Sequence, residues 1–145
     1  MNTLLVLPII VPAITGMLAL LTRSHRSVQR GISLLGTLVL LGTGSALVYQ
    51  VYTHGILAVQ MGDWPAPFGI TLVVDELSAG LVAVTGFVAV AVAVYALAGI
   101  DEARERFGFH ILFQLLLRGI NGAFITGDIF NMYVGFEVLL IASFV

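Results

Sequence analysis

Five long apolar runs constrain this chain more than any other feature, because they fix its solvent. A helix needs about 20 mainly apolar residues to cross roughly 30 Å of hydrocarbon. The spacing predicts spans at Leu4–Leu21, Ile32–Tyr52, Leu77–Ile100, Phe109–Ile125 and from Ile129 to Val145. Hydrophobic residues make up 59% of the sequence and charged residues only 10%, where a soluble domain carries about 25% charge. Lysine and cysteine are absent, so neither disulfides nor thiolate metal sites are available. A net charge of −2 gives no case for nucleic acid as a partner. The first run is not read as a secretory signal, since no basic residue precedes it and no small-residue cleavage site follows it. The expectation is an all-α integral membrane protein: one membrane domain, a bundle of five transmembrane helices with the fifth cut short.

Arginine placement orients the bundle. Arg23, Arg26 and Arg30 lie between the first two spans, and Arg104 and Arg106 between the third and fourth. The segments 54–74 and Gly127-Asp128 carry no Lys or Arg. By the positive-inside rule the arginine-bearing loops are cytoplasmic and the N-terminus is outside.

The outer segment 54–74 is more than a linker. The β-prone runs Ile56–Met61 and Ile70–Val74 flank Gly62-Asp63-Trp64-Pro65-Ala66-Pro67-Phe68-Gly69, which predicts a short external β-hairpin between the second and third spans. Trp64 and Phe68 suit the membrane interface. Asp75 and Glu76 precede the third span, where a carboxylate caps free N–H groups and meets the positive end of the helix dipole.

The chemistry concentrates in the last two spans. Glu137 is the only ionisable group after Asp128 apart from Tyr133. A charge at the centre of a membrane helix costs about 3 kcal/mol on insertion scales, and such residues are usually functional, most often in ion or proton handling. Counting from Asp128, Arg118 lies ten residues back and Glu137 nine residues on. At 1.5 Å per residue both sit roughly 14 Å below the same turn, which makes them a candidate ion pair. Gln114, Arg118 and Asn121 form one polar stripe at i, i+4, i+7, and Tyr133 lies one turn from Glu137. These are read as relay or supporting residues. The competing readings are a neutral structural acid for Glu137, a contact to carbonyls or a neighbouring subunit for Arg118, and a plain interfacial residue rather than a proton shuttle for His110.

Three blocks carry a family resemblance. Gly62-Asp63-Trp64-Pro65-Ala66-Pro67-Phe68-Gly69-Ile70, the run from Phe113 through Asn121-Gly122-Ala123-Phe124-Ile125-Thr126-Gly127-Asp128 to Asn131, and Phe136-Glu137-Val138-Leu139-Leu140-Ile141-Ala142-Ser143 resemble the D-type component of Mrp-type multisubunit Na⁺/H⁺ antiporters. That family is related to the proton-pumping membrane subunits of respiratory complex I, and the first block favours the antiporter. The resemblance implies about fourteen helices, of which this sequence supplies five, so the chain is read as an N-terminal fragment. It also implies that Glu137 transfers protons, working with a lysine in a later, broken helix.

The resulting expectation is a transporter subunit, not an enzyme, in the plasma (inner) membrane of a prokaryote. Its partners are the other subunits of a hetero-oligomeric complex, the lipid bilayer, protons and Na⁺, with no cofactor and no assigned metal ligands. The alternatives are a purely structural membrane subunit, or a proton-pumping subunit of a complex I-like NADH dehydrogenase or membrane-bound hydrogenase.

Overall fold

The computed structural model describes residues 3–144. Helix α1 covers Thr3–Leu21, α2 Arg26–His54, α3 Glu76–Gly99, α4 Glu102–Phe107, α5 Phe109–Phe124 and α6 Ile129–Phe144. Three of these, α1, α2 and α3, are long and apolar enough to cross a membrane. Helices α5 and α6 have 16 residues each, about 24 Å of helix. Side chains such as Met17, Tyr52, Phe87 and Tyr95 point outward, as expected where the surrounding solvent is lipid rather than water.

Small residues set the helix contacts. A Cβ on Gly44 would lie 2.8 Å from Ala83 Cα, and one on Gly86 would lie 2.7 Å from Leu41 Cα. The antiparallel α2–α3 pair therefore packs backbone to backbone, as membrane helices do where Gly and Ala line the seam. Helix α1 packs on α2 and α5, and α5 packs on α6. Two apolar clusters fill the interior. One contains Leu5, Leu47, Leu72, Val82 and Ile125, near the hairpin; the other contains Leu40, Ala89, Phe113 and Leu117.

The hairpin forms where the sequence places it, with strands slightly shorter than the β-prone runs. Strands β1 (Leu57–Gln60) and β2 (Thr71–Val74) pair antiparallel, with Leu57 opposite Val74 and Gln60 opposite Thr71. The turn passes through left-handed backbone at Gly62 and Asp63 (φ 70° and 58°). Strand β2 also holds the α5–α6 turn: Val73 N–H donates to Ile125 O at 2.8 Å, and Gly127 N–H donates to Thr71 O at 2.8 Å. The otherwise open edge of β2 is thus used, and the start of α6 is tied to the hairpin.

Helix α2 departs from the hydropathy boundary. It begins at Arg26 rather than Ile32 and runs 29 residues, about 43 Å, well past the thickness of the hydrocarbon. Its first two turns carry Arg26 and Arg30, which hydropathy assigns to a loop; their charge partners on α4 explain why those turns are ordered.

Candidate functional site

Helices α5 and α6 form a tight hairpin. A Cβ on Gly119 would lie 2.7 Å from Leu139 N and 2.9 Å from Gly135 O, so the two backbones touch there. The turn is built from local polar contacts. Asp128 Oδ1 accepts from Phe130 N–H at 2.9 Å, and Asn131 Nδ2 donates to Thr126 Oγ1 at 2.9 Å. The first of these bonds occupies an N–H group that the helix start would otherwise leave free.

Glu137 is half-buried on α6, and its neighbour Tyr133, one turn earlier, is exposed. Arg118 is exposed on α5 and borders a cleft of about 90 Å³ with Ile9, Asn131, Val134, Gly135 and Val138. Among the described residues Arg118 and Glu137 form no ion pair, contrary to the sequence expectation. Residue counting from Asp128 fixes distance along each helix but not rotation about it. Positions 131, 134, 135 and 138 of α6 line the cleft, whereas 133 and 137 share a different stripe of the helix.

The expected polar stripe of α5 splits in the same way. Gln114 and Asn121 are fully buried, while Arg118 turns outward. Gln114 Nε2 donates to Ser33 O and Ser33 Oγ, both at 3.3 Å, and Asn121 Nδ2 donates to Leu117 O at 2.8 Å. Among the described residues, the Oε1 of Gln114 and the Oδ1 of Asn121 have no hydrogen-bond partner.

A second polar centre lies at the arginine-bearing end. The Glu105 side chain is only 1% exposed. Its Oε2 accepts from Arg26 Nε at 3.0 Å, Arg26 Nη2 at 2.5 Å and Arg30 Nη2 at 2.9 Å. Its Oε1 accepts from Arg30 Nε at 2.5 Å and lies 3.1 Å from His110 Nε2. Hydrogen bonds from Arg30 first, then from Arg26 and His110, outweigh desolvation and hold the carboxyl at about 2, well below its ordinary value of 4.5. Glu102 extends the cluster, pairing with Arg26 at 3.0 Å and Arg106 at 2.8 Å. The polar run 101–106 reads in sequence as a solvated loop. The available signal was Arg26 and Arg30 at i, i+4, which share a face only if α2 starts early.

At the hairpin end, Asp75 Oδ1 accepts from Ser78 N–H at 2.8 Å, the capping role expected of it. That bond holds the Asp75 carboxyl below its ordinary range.

Comparison with known proteins supplies the family context. No family model matches the chain. It is 41% identical over 145 residues to the D component of the Na⁺/H⁺ antiporter of Alkalihalophilus pseudofirmus, covering 100% of this chain and 29% of that protein. It is 40% identical over 157 residues to the D component of a probable K⁺/H⁺ antiporter of Rhizobium meliloti, covering 99% of this chain and 28% of that one. Among solved structures it superposes on a chain of the Mrp complex from a Dietzia species with a TM-score of 0.87 and 27% identity, covering 99% of this chain and 27% of that one. It also superposes on a chain of the membrane-bound sulfane sulfur reductase, an archaeal respiratory membrane complex, with a TM-score of 0.88 and 26% identity, covering 97% of this chain and 29% of that one. The chain therefore spans less than a third of the length of these relatives.

Proposed function

We propose that this chain, similar along its whole length to the D components of cation/proton antiporters, forms part of the membrane subunit of a multisubunit antiporter, in which Glu137 carries protons. On this reading it works in the plasma membrane of a prokaryote beside other subunits of the complex. Helices α5 and α6 cross the bilayer with α1, α2 and α3. The N-terminus and the β-hairpin face outward, and the arginine cluster faces the cytoplasm.

The observation that carries the proposal is the setting of Glu137: the single acid of an apolar helix, half-buried, unpaired by Arg118, with Tyr133 as its polar neighbour. A carboxylate held by a guanidinium would be fixed in its charged form, and among the described residues no such ion pair holds Glu137. The face of α6 that bears Glu137 is turned away from Gly119 and α5, so it is open to a charge partner from elsewhere, such as the lysine the family resemblance implies. The relatives differ in their named cation, Na⁺ in one and K⁺ in the other, and we assign this subunit the proton half of the exchange with Na⁺ as the counter-ion.

The test is substitution in the intact complex. Glu137→Gln keeps the shape and removes the titratable group, so it abolishes proton-coupled cation exchange in membrane vesicles while the complex still assembles. Glu137→Asp retains partial activity. Normal exchange by the Gln variant would leave the chain a structural module. A second reading, a proton-pumping subunit of a respiratory complex, is favoured by the superposition on the sulfane sulfur reductase complex. It predicts proton movement that follows electron transfer and needs no added Na⁺ or K⁺.

A further inference from the structure

Where α4 meets α5, His110 is 3% exposed and faces Glu105 through Nε2 at 3.1 Å. An ionised carboxylate only accepts hydrogen bonds, so the nitrogen facing it must carry the proton. Both Glu105 oxygens are held by Arg26 and Arg30, which fixes the acceptor in place and with it the tautomer. The other nitrogen, Nδ1, is then a bare lone pair. It is buried and, among the described residues, has no hydrogen-bond partner. One turn further along the same face of α5, Gln114 Oε1 is also fully buried and unpartnered. Residues four apart on a helix have Cβ atoms roughly 6 Å from each other, so two unpartnered acceptors occupy neighbouring positions on one helix face.

We propose that His110 is a proton-transfer residue: an imidazole oriented by Glu105 that takes and returns a proton through Nδ1, one turn from the unpartnered Gln114 Oε1. The proposal rests on the reading that the subunit moves protons. A hydronium ion at the arginine-bearing end gives its proton to Nδ1, leaving water and an imidazolium whose Nε2–H stays on Glu105. The imidazolium later returns the same Nδ1 proton to water at that lone pair; the water becomes hydronium and the neutral ring is restored.

A role confined to holding Glu105 needs one donor and no second nitrogen, and an amide would serve it without leaving a ring acceptor stranded. The apolar wall of the site is Phe109, whose ring meets the imidazole edge-on at 5.3 Å between centroids. The charged groups around His110 come from two helices and one turn. They are Arg26 and Arg30 of α2, Glu102, Glu105 and Arg106 of α4, and Arg23, whose Nη2 donates to Arg106 O at 3.1 Å. Helix α1 carries no ionisable side chain, and α3 carries only Glu76 at its opposite end and the outward-facing Tyr95. Helix α6 carries Tyr133 and Glu137.

The experiment uses the full-length subunit in its assembled complex, reconstituted in vesicles. His110→Gln keeps an N–H for Glu105 and removes the imidazole. Loss of a positioned acid–base group predicts a fall in proton-coupled exchange of about 100-fold and loss of the part of the pH profile that belongs to the imidazole, with assembly retained. Wild-type rate and pH profile in an assembled His110→Gln complex would overturn the proposal. If that variant does not assemble, nitrogen NMR decides on the native ring. The complex is ¹⁵N-histidine labelled, and the His110 signal is assigned by comparison with variants in which the other histidines, His25 and His54 among them, are replaced by Asn. Expected is an Nε2–H tautomer at high pH whose Nδ1 gains a proton within the pH range of transport. A ring fixed in one state across that range would overturn the proposal. Normal exchange by Glu137→Gln would instead overturn the underlying reading. An inactive Glu137→Gln beside a fully active His110→Gln overturns this inference alone.

Discussion

Replacing Glu105 tests whether the clamp at the arginine-bearing end holds α4 in place. The Glu105 carboxyl sits at about 2 against an ordinary 4.5. A lowered folded-state pKa contributes stability that is fully present above the ordinary value and is lost as pH falls toward the folded one. At 1.36 kcal/mol per unit the contribution near neutrality is about 3 kcal/mol, and it disappears between roughly pH 5 and pH 2. The carboxylate itself is almost wholly buried, but Arg26 and Arg30 are about a third exposed (35% and 32%), so solvent screening makes this figure an upper bound. Glu105→Gln removes the charge, keeps the shape and leaves both guanidinium groups short of an anion. Hydrogen exchange of the α4 amides in the assembled complex reads the local opening free energy. The expected result is faster exchange at pH 7 in the variant, by up to roughly a hundredfold, the equivalent of about 3 kcal/mol. In the unaltered protein, exchange corrected for its intrinsic pH dependence should show the same loosening on acidification below pH 5. Unchanged α4 exchange in Glu105→Gln would refute the account of the clamp.

Three further perturbations address the fold. Gly119→Leu places side-chain atoms inside the α5–α6 backbone contact and should prevent a stable complex, while Gly122→Ala, with open space at its Cβ, should assemble as well as the parent; yield of purified complex separates the two. Val73→Pro removes the N–H that holds Ile125 O and should speed exchange across residues 125–128 while leaving α2 and α3 protected. Cysteines introduced at Ser27 and Ala66, both exposed in a chain without native cysteine, should react with impermeant reagent from opposite faces of the membrane; labelling from one face would contradict the topology.

Much of the fold is legible in the sequence because membranes allow few solutions. Apolar run length locates α1, α3, α5 and α6 within a residue or two, and the Gly-Asp-Trp-Pro turn locates the hairpin. The start of α2 escaped hydropathy, because Arg26 and Arg30 are polar and their order depends on Glu102 and Glu105, distant in sequence. The Arg118–Glu137 expectation failed for a related reason: counting residues from Asp128 gives depth along a helix but not rotation about it. Gly119, lying against Leu139 and Gly135, fixes which faces of α5 and α6 meet, and Glu137 is not on the facing stripe. The buried setting of Glu105 and His110 was invisible for want of the same long-range pairing. His110 stood out only as a histidine near a helix end, where an interfacial role is the plainer reading.

The central claim is that Glu137 changes protonation state as the complex works. Infrared difference spectra of the assembled complex, recorded between pH values spanning its transport range and compared with those of Glu137→Gln, measure this directly. Expected is a carboxylic-acid carbonyl band that appears and disappears with pH in the native complex and is missing from the variant. A Glu137 that stays in a single protonation state throughout the range in which the complex transports would contradict it.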